Sequence, residues 1–306
     1  MMSDTRPTIP IWRTVTAAYR TGIGCLFRDG ALFRYFLYAS LLTASVFALH
    51  LYRTASHLSA TAEIAPVPEL ILGLLLYIGY AVVINPFAVA VHRKILLGET
   101  PRDPYLLGIA RRPQQRFLLA TVAVYVMFFL ASSAGSLGVF LIYGLNPFDG
   151  AQLTAAMTAQ PFIALFNLLT WGSYLLVGLV AARLAFAFPG IAIDAPGASL
   201  RQSMSETQGS TWRLFFVFLF IFLGVFIIVM VAYMTASAVF MFSHPEFLRA
   251  PSELAAAMAF SPPFLAVYAV LFVIMMVMIA VVAAAAARAY EIRVNQGMSG
   301  VAEVFA

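Results

Sequence analysis

Lysine occurs once in this 306-residue chain, as Lys94, and cysteine once, as Cys25. Charged residues of all kinds make up only 10% of it, where soluble globular domains carry about a quarter. One thiol makes no internal disulfide, so cysteine usage is silent on redox compartment. No G-x-x-x-x-G-K-[ST] loop is present, which leaves nucleotide hydrolysis without support. The net charge of +5 is scattered between apolar runs. It has none of the clustering of a nucleic-acid footprint. No Asp or Glu falls in the middle of an apolar run, and such carboxylates are the usual mark of proton- or cation-coupled transport. The first thirty residues carry Arg6, Arg13, Arg20 and Arg28 at even spacing, with no apolar core of signal-peptide length among them. The N-terminal segment is therefore expected to belong to the mature chain.

What fills the sequence instead is apolar: 62% of residues are hydrophobic. Crossing about 30 Å of hydrocarbon takes about 20 mostly apolar residues in a helix. Six stretches qualify: Leu32–Leu51, Leu70–Val91, Phe117–Tyr143, Pro161–Ala182, Leu214–Phe242 and Pro262–Ala287. The expected fold is one all-α polytopic membrane domain over residues 1–306. With six spans both termini share a side. That side also holds the 92–116 and 183–213 loops, and 16 of the 18 basic residues; only Arg53 and Arg249 fall opposite. Short basic loops stay cytoplasmic, so both termini are expected inside. On this reading His92-Arg93-Lys94 marks the cytoplasmic end of the second span.

The chain repeats. Three span pairs open with "LFRYFL" at Arg34, "QQRFLL" at Arg116 and "TWRLFF" at Arg213. They close with "VAVHRK" at Arg93, "VAARLA" at Arg183 and "AAARAY" at Arg288. Between spans, "QLTAAMTAQP" (152–161) aligns without gaps to "ELAAAMAFSP" (253–262). These patterns predict three similar hairpins, about 10–94, 103–193 and 198–294, with 152–160 and 253–261 as equivalent short outer helices. Short interfacial helices are expected between the hairpins. Ser199 caps one whose apolar side is Leu200 and Met204, and Gly209 ends it in a left-handed conformation. Another, "IWRTVTAAYRTGIGCLF", has Ile11, Val15 and Tyr19 on one face with Arg13 and Arg20 off it, and is expected to lie flat on the inner leaflet.

The segments "IPIWRTVTAAYR", "VAVHRKILLGE" and "ARLAFAFPGIAIDAPGASLRQSMSETQGSTWRLF" resemble a group of bacterial six-span inner-membrane proteins. That group is similar to the membrane domain fused to some glycerophosphodiester phosphodiesterases. The shared patterns are helix ends, and the fused catalytic barrel is absent here. The resemblance implies fold and a bacterial inner-membrane location, with no activity attached.

Residue by residue, no catalytic, cofactor or metal site emerges. His50 and His57 are seven apart with Glu63 beyond them, but a metal site needs three or four convergent ligands. Ser132, Ser133 and Ser136 in "LASSAGSLG" have no His or Asp in their span to act as base. Small residues there, and at Ala280 and Ala284, suit close helix packing. Mitochondrial carriers also use three hairpins, but their P-x-[DE]-x-x-[KR] signature is missing. Arg183 is followed by more apolar sequence, so it either snorkels to phosphates or sits at the head-group plane with its helix ending at Pro189.

Two residue sets remain. Asn85 precedes Pro86 inside the second span, where proline frees a carbonyl. With Asn167 and Thr170 of the fourth span, it forms either interhelical hydrogen bonds or the polar wall of a cavity. Arg93, Lys94, Arg111, Arg112 and Arg116 form a basic rim suited to anionic lipid head groups. The expected role is a non-enzymatic one, lipid-associated or scaffolding. Membrane lipids are the expected partners, a protein partner being possible. The alternative is a transporter for a small or amphiphilic solute.

Overall fold

The computed structural model describes residues 8–59, 66–105, 107–146, 160–243 and 262–295. Among these the chain is helical with no strand. In chain order the helices are α1 (Ile11–Arg28), α2 (Gly30–Ser59), α3 (Pro66–Leu97), α4 (Arg112–Ile142), α5 (Gln160–Leu184), α6 (Ala187–Ala192), α7 (Leu200–Glu206), α8 (Thr211–Ser243) and α9 (Pro262–Tyr290). A 3₁₀ turn, Leu107–Ala110, precedes α4, and a π turn, Glu291–Asn295, follows α9. Six helices, α2–α5, α8 and α9, are long and apolar enough to cross a membrane. Each contains one of the six stretches picked out above, apart from Tyr143, which caps α4. The expected outer helices at 152–160 and 253–261 lie outside the described residues, apart from Gln160, which opens α5.

Local chemistry sets the helix ends. Asp29 is extended, and its Oδ1 accepts from the Ala31 and Leu32 amides at 3.0 and 3.2 Å. That is an N-cap, and it separates α1 from α2. Gly98, at φ 70°, closes α3 with its amide on the Lys94 carbonyl. Ser199 caps α7 through the Gln202 amide, and Gly209 lies at φ 79°, both as the sequence indicates. Of the apolar side expected for α7, Leu200 packs against the core, but Met204 is exposed and Ser203 is buried in its stead. The Ser203 hydroxyl donates to the Arg183 carbonyl at 2.8 Å and accepts from the Phe186 amide at 3.1 Å. Polar stapling of the end of α5 and the packing of Leu200 against the core around Ile191 and Ala198 together hold α7 in place.

The spans pack in sequence, α2 on α3, α3 on α4, α4 on α5, α5 on α8 and α8 on α9, and α9 returns to α2. Helix α9 also packs against α1, α3 and α6. Its run Ala283–Ala287 is buried throughout, because methyl side chains let several backbones approach one helix. Helix α1 exploits this most. Going from Ile9 to Leu26, its neighbours on α9 move from Ala289 back to Met276, so the two helices run in opposite directions. A Cβ at Gly22 would stand 2.8 Å from the Val281 Cα and 2.9 Å from the Ala280 carbonyl oxygen. The segment expected flat on the leaflet is thus packed lengthwise into the bundle, since Ala18 and Gly22 give it a face as narrow as that of α9. Arg13 and Arg20 do point away.

The apolar sequence beyond Arg183 has a plain cause. Helix α5 ends at Leu184, before Pro189, and the chain turns into α6. There Ala187, Pro189, Gly190, Ile191 and Ala192 are buried against α3, α4 and α9.

Candidate functional site

The basic triplet ending α3 points in three directions, as successive helical residues about 100° apart must. His92 is buried with its ring 5.8 Å from that of Phe117 on α4. Arg93 pairs with Glu99 at 2.6 Å and donates to the Ala192 carbonyl at 2.9 Å. Lys94 reaches the Asp29 Oδ2 at 2.7 Å. Asp29 therefore caps α2 with one oxygen and holds α3 with the other. Burial alone would raise the pKa of this carboxyl, but Lys94 and the two capping amides outweigh it and hold the value below the ordinary range.

The other rim residues are tied in similar ways. Arg111 pairs with Asp103 at 2.6 Å while remaining largely exposed. Arg116 pairs with Asp194 at 3.1 Å and donates to the Ala198 carbonyl. Arg112 is exposed at the start of α4. Arg93 and Arg116 thus clamp the turn between α6 and α7, where Asp194 adopts φ 56°. Lys94 holds the α1–α2 junction, and Arg111 holds the loop after α3. Only Arg111 and Arg112 of the five keep a mostly outward guanidinium.

That loop covers a cleft of about 540 Å³ between α2, α3 and α4. Tyr35, Ala90, Arg93, Glu99, Arg102, Asp103, Arg111 and Gln114 are among its lining residues. Three guanidinium groups against two carboxylates leave it net basic, which suits an anionic head group or an acidic peptide. Neither serine nor histidine lines it. Among the described residues no group of His, Cys, Asp and Glu gathers to hold a metal ion.

The loop is pinned from inside by Tyr105. Its hydroxyl donates to the Val83 carbonyl at 2.6 Å, its ring sits edge-on to Tyr35 at 4.9 Å, and it is almost fully buried. Pro86 removes the α3 donor to the Val82 carbonyl, and Tyr105 bonds the neighbouring carbonyl of the same turn. Burial pushes the Tyr105 phenol well above its ordinary range, so the donor persists at any physiological pH. The Tyr35 hydroxyl in turn donates to the Asp103 carbonyl at 2.6 Å.

The three cavity candidates are not brought together. Asn85 is buried and donates its Nδ2 to the Gln114 carbonyl at 3.1 Å, a bond to α4. Its Oδ1 has no partner among the described residues. Asn167 is exposed on the perimeter of α5. Thr170 is half-buried, its hydroxyl oxygen unpartnered. Helix α4, which packs against both α3 and α5, joins the two helices concerned. The serine stretch of α4 does meet α5 closely: a Cβ at Gly135 would stand 2.7 Å from the Ser173 hydroxyl. Side-chain positions of Ser132, Ser136, His50 and His57 lie outside the described ones.

Tyr105, Asp29, Asp194 and Ser203 were not singled out by sequence. Asp29 carried a signal, an Asp directly before the apolar run "GALF". The others depend on contacts distant in sequence. No protein-family model, curated protein or solved structure matches this chain.

Proposed function

We propose that this chain is a non-enzymatic membrane module of the bacterial inner membrane, with a lipid-associated or scaffolding role. Both termini are cytoplasmic on this reading, and the three span pairs are repeats of one hairpin. The observation that carries it is the inner half of α9. Its alanine run is enclosed by α1, α3, α6 and α8, in the space a solute path would need. The arginine distribution supports the orientation, and the resemblance supports the location. The repeat is supported by a helix or 3₁₀ turn before each pair and a basic residue closing each pair. The net basic cleft, with Arg111 in its lining and the exposed Arg112 next in sequence, suits anionic lipid on the inner leaflet. Each basic residue near such a surface contributes about 1 kcal/mol.

The transporter reading keeps one observation, the cleft whose wall residue Gln114 accepts from the unsatisfied Asn85. Purification with native lipids, followed by identification of what is retained, separates the two. Arg111→Gln with Arg112→Gln is expected to reduce retained anionic lipid, and to do so less at high salt, where the contacts are screened. Unchanged lipid together with loss of uptake of a solute favours the transporter.

A further inference from the structure

A second surface stands apart from the cleft. Between α1 and α8 runs a shallow groove of about 600 Å³ lined by Ile11, Trp12, Arg213, Phe216 and Phe220. Trp12 stacks on Phe220 with centroids 4.6 Å apart, and Phe216 stacks on Phe220 at 6.2 Å. Residues 213, 216 and 220 share one face of α8 by their three- and four-residue spacing. They extend about 10 Å along it at 1.5 Å per residue. Arg213 lies in the first turn of α8, at the end of the bundle where Ile9 meets Ala289. The groove therefore has a cation at one end and only apolar lining beyond. Unlike Arg93, Arg111 and Arg116, Arg213 has no carboxylate partner among the described residues; it makes a long 3.4 Å bond to the Ile9 carbonyl. Trp12 is 67% exposed in spite of its stacking.

We infer that this groove binds one anionic phospholipid, its phosphodiester on Arg213 and one acyl chain laid along Phe216, Phe220 and Trp12. Charge complementarity selects the occupant. A guanidinium offers a fork of donors matched to a phosphate, and beyond it the side chains of the wall offer a peptide backbone only one polar group, the Trp12 indole N–H. The site stands whether or not the arginine cleft retains lipid.

The test uses the full chain in detergent with Trp171→Phe and Trp212→Phe, which leaves Trp12 as the only tryptophan. Phosphatidylglycerol brominated on its acyl chains is added, and quenching of Trp12 is followed. Quenching is expected to saturate. The half-quenching mole fraction is expected to rise about fivefold with Arg213→Gln, the equivalent of about 1 kcal/mol for one basic residue at an anionic surface. A similar rise is expected when brominated phosphatidylcholine replaces the anionic lipid on the protein that retains Arg213, a comparison that does not depend on how the variant folds. Equal quenching by the two lipids overturns the inference and leaves a non-selective lipid shell. No quenching by either also overturns it and assigns the groove to a protein segment.

Discussion

At the scale of single residues, the end of the bundle that carries the basic rim is held by a few polar groups that each do two things. Asp29 caps α2 and pairs with Lys94, so removing the lysine strands a buried carboxylate. Lys94→Met is expected to destabilise the protein by about 3 kcal/mol, the lower end for a broken buried pair. Adding Asp29→Asn should recover part of that loss, because asparagine still caps the helix and no charge remains. Thermal unfolding in detergent reads the order of the three proteins. A double variant less stable than the single one would refute it. The pH dependence has a definite sign. Because Asp29 titrates below its unfolded value, its contribution is full above the ordinary carboxylate range of about 4. It fades as pH falls through the lower folded value, so the gap between Asp29→Asn and the natural protein should close only in acid. Tyr105→Phe keeps the ring packing but removes the donor to the Val83 carbonyl. It is expected to cost about 1–3 kcal/mol, as for a buried acceptor left unpaired.

At the scale of elements, α1 comes close to the backbone of α9 at Gly22. Gly22→Ala places a methyl against the α9 backbone, which has no rotamer with which to yield. Overpacking of this kind costs about 1–3 kcal/mol. Gly24→Ala, two residues on in open space, removes a flexible residue from the same helix and is expected to be neutral or slightly stabilising. Equal effects at the two glycines would show that α1 is not seated on α9. The six long apolar helices were legible in the sequence because apolar length alone marks them. The seat of α1 was not: its arginines and aromatics suit a membrane surface as well as a bundle wall, and only Gly22 against Ala280 tells the two apart. The short α6 was hidden because its apolar residues read as a continuation of the preceding span. Of the candidate rim, the positions were legible, but their partners were not. Asp194 and the Ala192 and Ala198 carbonyls lie roughly eighty to a hundred residues away from the arginines they hold.

At the scale of the whole molecule, packing is uneven along the bundle. The half nearest the α3–α4 and α5–α8 connectors is dense around α9. Farther along α8, Phe226, Ile227, Ile228, Met230, Val231, Tyr233 and Met234 are all exposed, on most sides of the helix. Such a surface suits an apolar solvent, in keeping with six helices long and apolar enough to cross a bilayer. Orientation is checked by single cysteines in a Cys25→Ser background. Thr100→Cys, in the loop after α3, is expected to resist an impermeant thiol reagent in intact cells, and Asn146→Cys, just past α4, to react. The reverse pattern would invert the topology. The central claim, that the enclosed centre carries no aqueous path, is tested most directly at Ala283. It is 5% exposed and shares a core cluster with Phe87 and Ala90 of α3. Ala283→Cys in the same background is treated with a small water-soluble thiol reagent in opened membranes, beside Thr100→Cys. The account predicts that Thr100→Cys is fully modified while Ala283→Cys is not; modification of both at similar rates would contradict it.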